Sequence, residues 1–253
     1  MAKLNYLCNK YFLINIKKIV FFMFVTSVYT GYNIGKAKLS EAGILEFMTE
    51  MITDFYLIVF VIFPLFGLCL FSTLFSHGSV ELIRYKSFRA YFFTGMIPIS
   101  IFSFLFVLIP SIFSFVYALI LRFPAAIQPT GYLDDVGAVR LFSNSEYSVL
   151  FAFLCAALYL FFGLVFIAAA ASFLYYAVSK RILLFIVGTE YVLTVLAVQR
   201  HFDEAFPYIF LNNYTIISDA VNNNCLLAQL VIMLIVCVLI AAATKKRWGC
   251  SDL

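Results

Sequence analysis

Tyr91-Phe-Phe-Thr-Gly-Met-Ile-Pro98-Ile-Ser-Ile-Phe-Ser-Phe-Leu-Phe-Val-Leu-Ile-Pro110-Ser-Ile-Phe-Ser-Phe-Val-Tyr-Ala-Leu-Ile-Leu121 runs for 31 residues without a charge. A hydrocarbon core ~30 Å thick needs ~20 helical residues to cross it, so this stretch is a membrane helix with length to spare. It must tilt, bend or project, and Pro98 and Pro110, each removing a backbone donor, predict a kink. Five further apolar stretches, 19–34, 55–75, 149–178, 182–198 and 225–244, share its character, and Glu190 is the one charged residue inside any of the six. The chain is 64% hydrophobic and 12% charged, whereas soluble domains average about 45–50% and about 25%. The expected fold is therefore an all-α integral membrane protein, a single transmembrane domain over 1–253 with six transmembrane helices.

The connectors alternate in charge. Segments 1–18, 77–90, 179–181 and 245–253 hold twelve Lys and Arg against two acids, while 35–54, 122–148 and 199–224 hold five against ten. The positive-inside bias assigns the first set to the cytoplasm, which places both termini there. These cations flank spans and are not interleaved with stacking aromatics, so they point to anionic membrane lipids and not to nucleic acid. Within 1–18, Lys3, Lys10 and Lys17 form one stripe beside Leu4, Leu7, Cys8, Tyr11 and Ile14. This pattern predicts an interfacial helix on the membrane surface, with a plain basic flank for the first span as the alternative.

Four features stand out within the spans and the last outer connector. In the fourth stretch Ala156, Gly163, Ala170 and Ala177 recur every seven residues, a small-residue stripe that lets another helix approach, within one subunit or between two. Gly31 and Gly35 form a GxxxG pair of the same kind. Glu190, with Thr194 one turn on, is an intramembrane polar site: an ionised acid at mid-span costs about 2.5–3.5 kcal/mol on insertion scales and must face a cavity, a partner or a proton. It lines a substrate path or makes a structural hydrogen bond. Connector 199–224 contains Phe206-Pro-Tyr-Ile-Phe-Leu211, apolar enough to dip into the membrane or pack on the spans, with Asn212, Asn213, Asn222, Asn223 and Asn224 as turn or cap residues.

Catalytic motifs are absent from the sequence. His201-Phe-Asp-Glu-Ala lacks the second His of HExxH, and no GxSxG marks a nucleophile elbow. His77 and His201 fall on opposite expected sides of the membrane. Gly31-Tyr-Asn-Ile-Gly-Lys-Ala37 departs from a P-loop in glycine spacing and in the missing Ser or Thr. The six cysteines contain no CxxC pair and indicate neither a disulfide framework nor a metal site. The chain is expected to be no enzyme and to hold no cofactor of its own; if ATP is used, a partner binds it.

Segment 78–95 places Glu81, Arg84, Lys86 and Arg89 among apolar Leu82, Ile83, Tyr85 and Phe88, the pattern of a short amphipathic helix. Here the chain resembles the ABC-2 type ABC transporter permeases, the small Gram-positive exporter membrane subunits, whose second cytoplasmic segment reads like Glu81-Leu-Ile-Arg84-Tyr85-Lys-Ser87-Phe-Arg89. Lys86 stands where that family commonly has Gly, and Thr94-Gly95 where it often has Gly-Lys. The rest of the resemblance is architectural: a surface helix, six spans, cytoplasmic ends and an apolar loop before the last span. It implies a homo- or heterodimer of permeases in the bacterial cytoplasmic membrane, bound to separate ABC ATPase subunits. Glu81, Arg84, Lys86 and Arg89 would form the ATPase-coupling loop. The cargo would be amphipathic or hydrophobic, such as a peptide antibiotic or a lipid, against walls rich in the chain's 31 Phe and 16 Tyr. Three other classes fit less of the sequence: the substrate-capture subunit of a vitamin importer, a membrane immunity or binding protein, and an intramembrane protease.

Overall fold

The computed structural model describes residues 2–39, 41–76, 87–125, 139, 141–142, 147–199 and 206–246. Every regular element among them is helical. In chain order these are α1 (Ala2–Leu39), α2 (Ile44–Thr53), α3 (Phe55–Phe75), α4 (Phe88–Ile120), α5 (Ser148–Ala177), α6 (Lys180–Gln199), a 3-10 turn at Leu211–Tyr214, α7 (Ile217–Asn222) and α8 (Leu226–Lys246). Five helices, Asn9–Leu39 within α1, α3, α4, α5 and Leu226–Thr244 within α8, are long and apolar enough to cross a membrane. The chain is a multi-pass membrane protein. α6 is the shortest of the long helices, begins on Lys180 and Arg181, carries Glu190 at its middle, and is not among those five.

The distribution of side chains is that of a protein dissolved in lipid. Phe185 is 74% and Leu234 66% exposed, while Asn15, Thr26, Thr73, Ser103 and Gln229 are fully buried. Water disfavours so many exposed apolar side chains, whereas hydrocarbon accepts them and leaves polar groups to the interior.

The interfacial helix expected over 1–18 and the span expected over 19–34 are one helix. Nothing between Ala2 and Thr30 breaks it, since the segment has no Pro and its first Gly is Gly31. Its 38 residues reach about 57 Å, well beyond a hydrocarbon core. Asn15 and Lys18, at the edge of the expected surface segment, are instead tied into the bundle. Asn15 Nδ2 donates to Tyr11 O (3.0 Å) and Thr73 Oγ1 (3.1 Å), and Lys18 Nζ donates to Asn15 Oδ1 (2.9 Å) and Ser72 Oγ (2.6 Å). These bonds join α1 to the end of α3.

Three clusters hold the helices together. Phe106 of α4 stacks on Phe22 of α1 (4.2 Å between centroids) and meets Phe66 of α3 edge-on (5.6 Å). At one end of the bundle Phe88, Tyr91 and Phe92 of α4 surround Tyr176 of α5, with Ile240 of α8 alongside. At the other end α2 packs on α4 and α5, burying Phe47, Met51 and Ile52. α2 lies in what reads as a connector in the sequence; Glu46 closes its first turn by accepting from Gly43 N (2.8 Å), a capping box that satisfies an otherwise orphaned donor. α4 continues through both prolines, and Ser114 Oγ donates to Pro110 O (2.8 Å) within it.

α3 contains a π turn at Ile58–Ile62, with Phe63 N donating to Ile58 O. Pro64 follows at once. A proline ring crowds the preceding turn and supplies no donor, and here the turn before Pro64 is widened.

Candidate functional site

The segment between α6 and α8 folds into the bundle. Leu211 N donates to Thr194 Oγ1 of α6 (3.4 Å), and the Tyr214 backbone lies against Gly163, the sixteenth of the thirty residues of α5. A β-carbon on Gly163 would stand 2.9 Å from Thr215 Cγ2 and 3.0 Å from the Tyr214 carbonyl carbon. Glycine is required here because backbone meets backbone.

A polar segment packed into a helix bundle needs hydrogen-bond partners within the protein, and many of its groups find them. Tyr159 Oη of α5 lies 2.6 Å from Asn213 O and 2.9 Å from Gln229 Oε1 of α8, its one proton serving both acceptors. Pro207 O accepts from Asn213 Nδ2 (3.1 Å) and Gln229 Nε2 (3.0 Å). Asn223 Nδ2 donates to Asn213 Oδ1 (3.1 Å), Asn212 Nδ2 to Asp219 Oδ2 (3.0 Å) and Tyr214 Oη to Tyr208 O (2.8 Å). Asn212, Asn213 and Asn223 thus cross-link the segment to itself and, through Tyr159 and Gln229, to two helices, while Asn223 also caps α7 and Asn224, at φ 52°, makes the turn expected of it. Cys225, buried beside this network, donates to Ala220 O (3.5 Å).

Beneath this segment lies an apolar cleft of about 320 Å³ between α3, α5 and α6. Leu211 of that segment lines it, and Pro64, Gly67, Ile167, Gly188 and Tyr191 are also among its walls. It begins where the π turn of α3 ends. It opens where Leu68, Leu184 and Gly188 are exposed, on the lipid-facing side. Its volume lies at the lower end of the range for small-molecule pockets.

Glu190 is half-buried on the adjoining face of α6, and its Oε1 has no hydrogen-bond partner among the described residues. Thr194, fully buried, accepts from Leu211. The two residues lie one turn apart on α6, and Thr194 is the one that receives the folded-in segment. Of the small-residue stripe, Ala156 and Gly163 are buried, Ala170 is half-buried and Ala177 is exposed. A helix of 3.6 residues per turn drifts about 20° per seven-residue step, so the stripe rotates out of contact along α5. Ala168, Ala169 and Ala171 are buried in its place. Of the GxxxG pair, Gly31 approaches Tyr117 Oη at 3.6 Å from its would-be β-carbon, and Gly35 meets nothing within 4 Å.

Glu81, Arg84 and Lys86 lie outside the described residues, as do His77 and His201. Arg89 is exposed in the first turn of α4, after Ser87 caps the helix by accepting from Ala90 N (3.2 Å), and its guanidinium sits 5.7 Å over the Phe93 ring. Among the described residues no group of three or more His, Cys, Asp or Glu is placed to hold a metal ion.

No family model, characterised protein or solved structure matches the chain.

Proposed function

We propose that the chain is the membrane-spanning permease subunit of an ATP-driven exporter of the ABC-2 type, for an amphipathic or hydrophobic substrate. In this reading α6 is a sixth crossing, both termini face the cytoplasm of a bacterial cell, and two permeases pair above separate ATPase subunits. The supporting observation is the apolar cleft between α3, α5 and α6, bordered by exposed residues and lined in part by Leu211 of the folded-in segment. A cargo partitioning from the bilayer would enter such a cleft without crossing water, and its burial would stabilise binding by about 25 cal/mol per Å² of apolar surface. The apolar loop before the last span, part of the family resemblance, is the segment that contributes Leu211 to this wall.

The test is affinity purification of the tagged chain from native membranes, followed by an ATPase assay. Co-purification of an ABC ATPase, and its loss in Arg84→Glu/Arg89→Glu protein that still inserts in the membrane, is the expected result. If no ATPase associates with the native chain, the permease reading fails and a membrane binding or immunity protein takes its place.

A further inference from the structure

The turns that follow α1 and α4 meet at one end of the bundle. Each is a left-handed helix stop: Glu41 has φ 56° and Arg122 φ 58°. Ala42 N donates to Ala37 O (3.1 Å) and Phe123 N to Ala118 O (3.0 Å), the closing bonds of two Schellman-type caps. That conformation favours glycine, yet both positions carry charged side chains. The two turns are fastened together, since Ile44 N donates to Pro124 O (3.0 Å) and the rings of Phe47 and Phe123 pack at 5.7 Å.

Between them lies a cleft of about 490 Å³ lined by Lys38, Glu41 and Arg122 over Ala42, Phe123 and Pro124. Ala42 and Phe123 form a buried floor, and the charged side chains are exposed. Among the described residues none of the three has a hydrogen-bond or ion-pair partner for its side chain. Lys38 and Arg122 are also two of only five cations in the acid-rich connectors.

We propose that this cleft binds the headgroup of a zwitterionic phospholipid, the phosphodiester held between Lys38 and Arg122 and the primary ammonium by Glu41. Two cations beside one carboxylate suit a group that carries both signs. Glu41 disfavours a simple anion, and Lys38 and Arg122 disfavour a simple cation. The source is a lipid because two membrane helices end at the cleft, which puts it at headgroup level. Leu39 and Ile120, 88% and 68% exposed, lie beside it on the helix ends where acyl chains would continue.

The experiment is native mass spectrometry of the detergent-purified full chain titrated with phosphatidylethanolamine, phosphatidylglycerol and inorganic phosphate. Phosphatidylethanolamine is expected to bind at least several-fold better than phosphatidylglycerol. Lys38→Gln/Arg122→Gly should weaken it by about tenfold or more, the scale of one or two lost charge-assisted contacts. Glycine is the residue most at ease at φ 58°, so this variant should melt no lower than the native protein, which separates lost binding from lost folding. Glu41→Gln should abolish the preference between the two lipids while retaining both. Equal binding by native and double-variant protein overturns the site, an undiminished preference in Glu41→Gln overturns the role of Glu41, and competition by inorganic phosphate at lipid-like concentration overturns the lipid assignment.

Discussion

Gly163→Ala tests whether the segment between α6 and α8 is seated against α5. The added methyl would collide with the Tyr214 carbonyl, and stand 2.9 Å from Thr215 Cγ2 and 3.0 Å from the Tyr214 carbonyl carbon. Ordinary carbon contacts lie at about 3.5–4.0 Å, so at least one partner must retreat by roughly 1 Å. On one side is mid-helix backbone of α5. On the other is a backbone held by Tyr159, Gln229 and Asn213 within hydrogen bonds of 2.6–3.1 Å. Neither side is a flexible side-chain end. Overpacking costs typically about 1–3 kcal/mol, and displacement of the Asn213 carbonyl from Tyr159 adds about 1 kcal/mol for a weakened hydrogen bond. For a chain of this size a total of about 2–4 kcal/mol lowers the melting temperature by on the order of 4–16 °C.

The control is internal. Gly67 and Gly188 are helical glycines at which an added β-carbon would meet nothing within 4 Å, and alanine there should be neutral or stabilising by about 0.5–1 kcal/mol through backbone entropy. Thermal unfolding of the three variants in one detergent, followed by a thiol-reactive dye on the buried cysteines, decides the matter. If Gly163→Ala melts with the native protein or with the other two, the segment does not rest on α5.

Three further outcomes are expected. Tyr159→Phe removes the hydroxyl that serves Asn213 O and Gln229 Oε1 and should destabilise by about 1–3 kcal/mol, read in the same melting assay; an unchanged melting temperature would show that the network is not coupled to folding. Cys225, buried beside that network, should stay unmodified by a small maleimide until denaturant is added, whereas exposed Cys237 reacts with a lipid-soluble reagent first; mass spectrometry of the peptides reports both. Glu190→Gln replaces a carboxylate whose Oε1 has no partner among the described residues with a neutral amide that is easier to bury, so it should melt at or above the native protein and, on the proposed permease reading, lower transport; unchanged transport in both Glu190→Gln and Glu190→Ala would make the residue structural only.

The long apolar runs are legible in the sequence because a membrane helix is specified by composition over about 20 residues. The stretch 91–121 becomes Phe88–Ile120 because Ser87 caps its start. Two features are hidden for opposite reasons. α1 shows no boundary at residue 18 because a change in lateral environment leaves no mark when no residue breaks the helix. α2 is invisible because Glu46, which reads as an exterior charge, is a buried cap of its own helix. At the candidate site Glu190 and Thr194 stand out as polar residues in an apolar run. The cleft beside them does not, since Pro64, Gly67 and Gly188 come from two helices and look like any other apolar wall. The depth of the 206–216 segment depends on the pairing of Gly163 with Tyr214, a long-range match that no local pattern encodes.

That pairing also explains why the last connector is rich in asparagine. A segment entering hydrocarbon without forming a full helix exposes backbone carbonyls and amides that water cannot reach, and each orphan would cost several kcal/mol. Asparagine carries a donor and an acceptor on a short arm, so Asn212, Asn213 and Asn223 pair with one another's surroundings and leave Phe206, Tyr208 and Ile209 facing outward. The segment thus buries its asparagines together with Phe210, Tyr214, Ile216 and Ile217, and exposes apolar side chains on its outer side. A structure so closed on itself touches the long helices through few polar links, at Thr194, Tyr159 and Gln229. Those links are where a moving cleft would have to let go, and α6, in which only Leu183 and Thr194 are fully buried among its described side chains, is the helix with the least packing to hold it still.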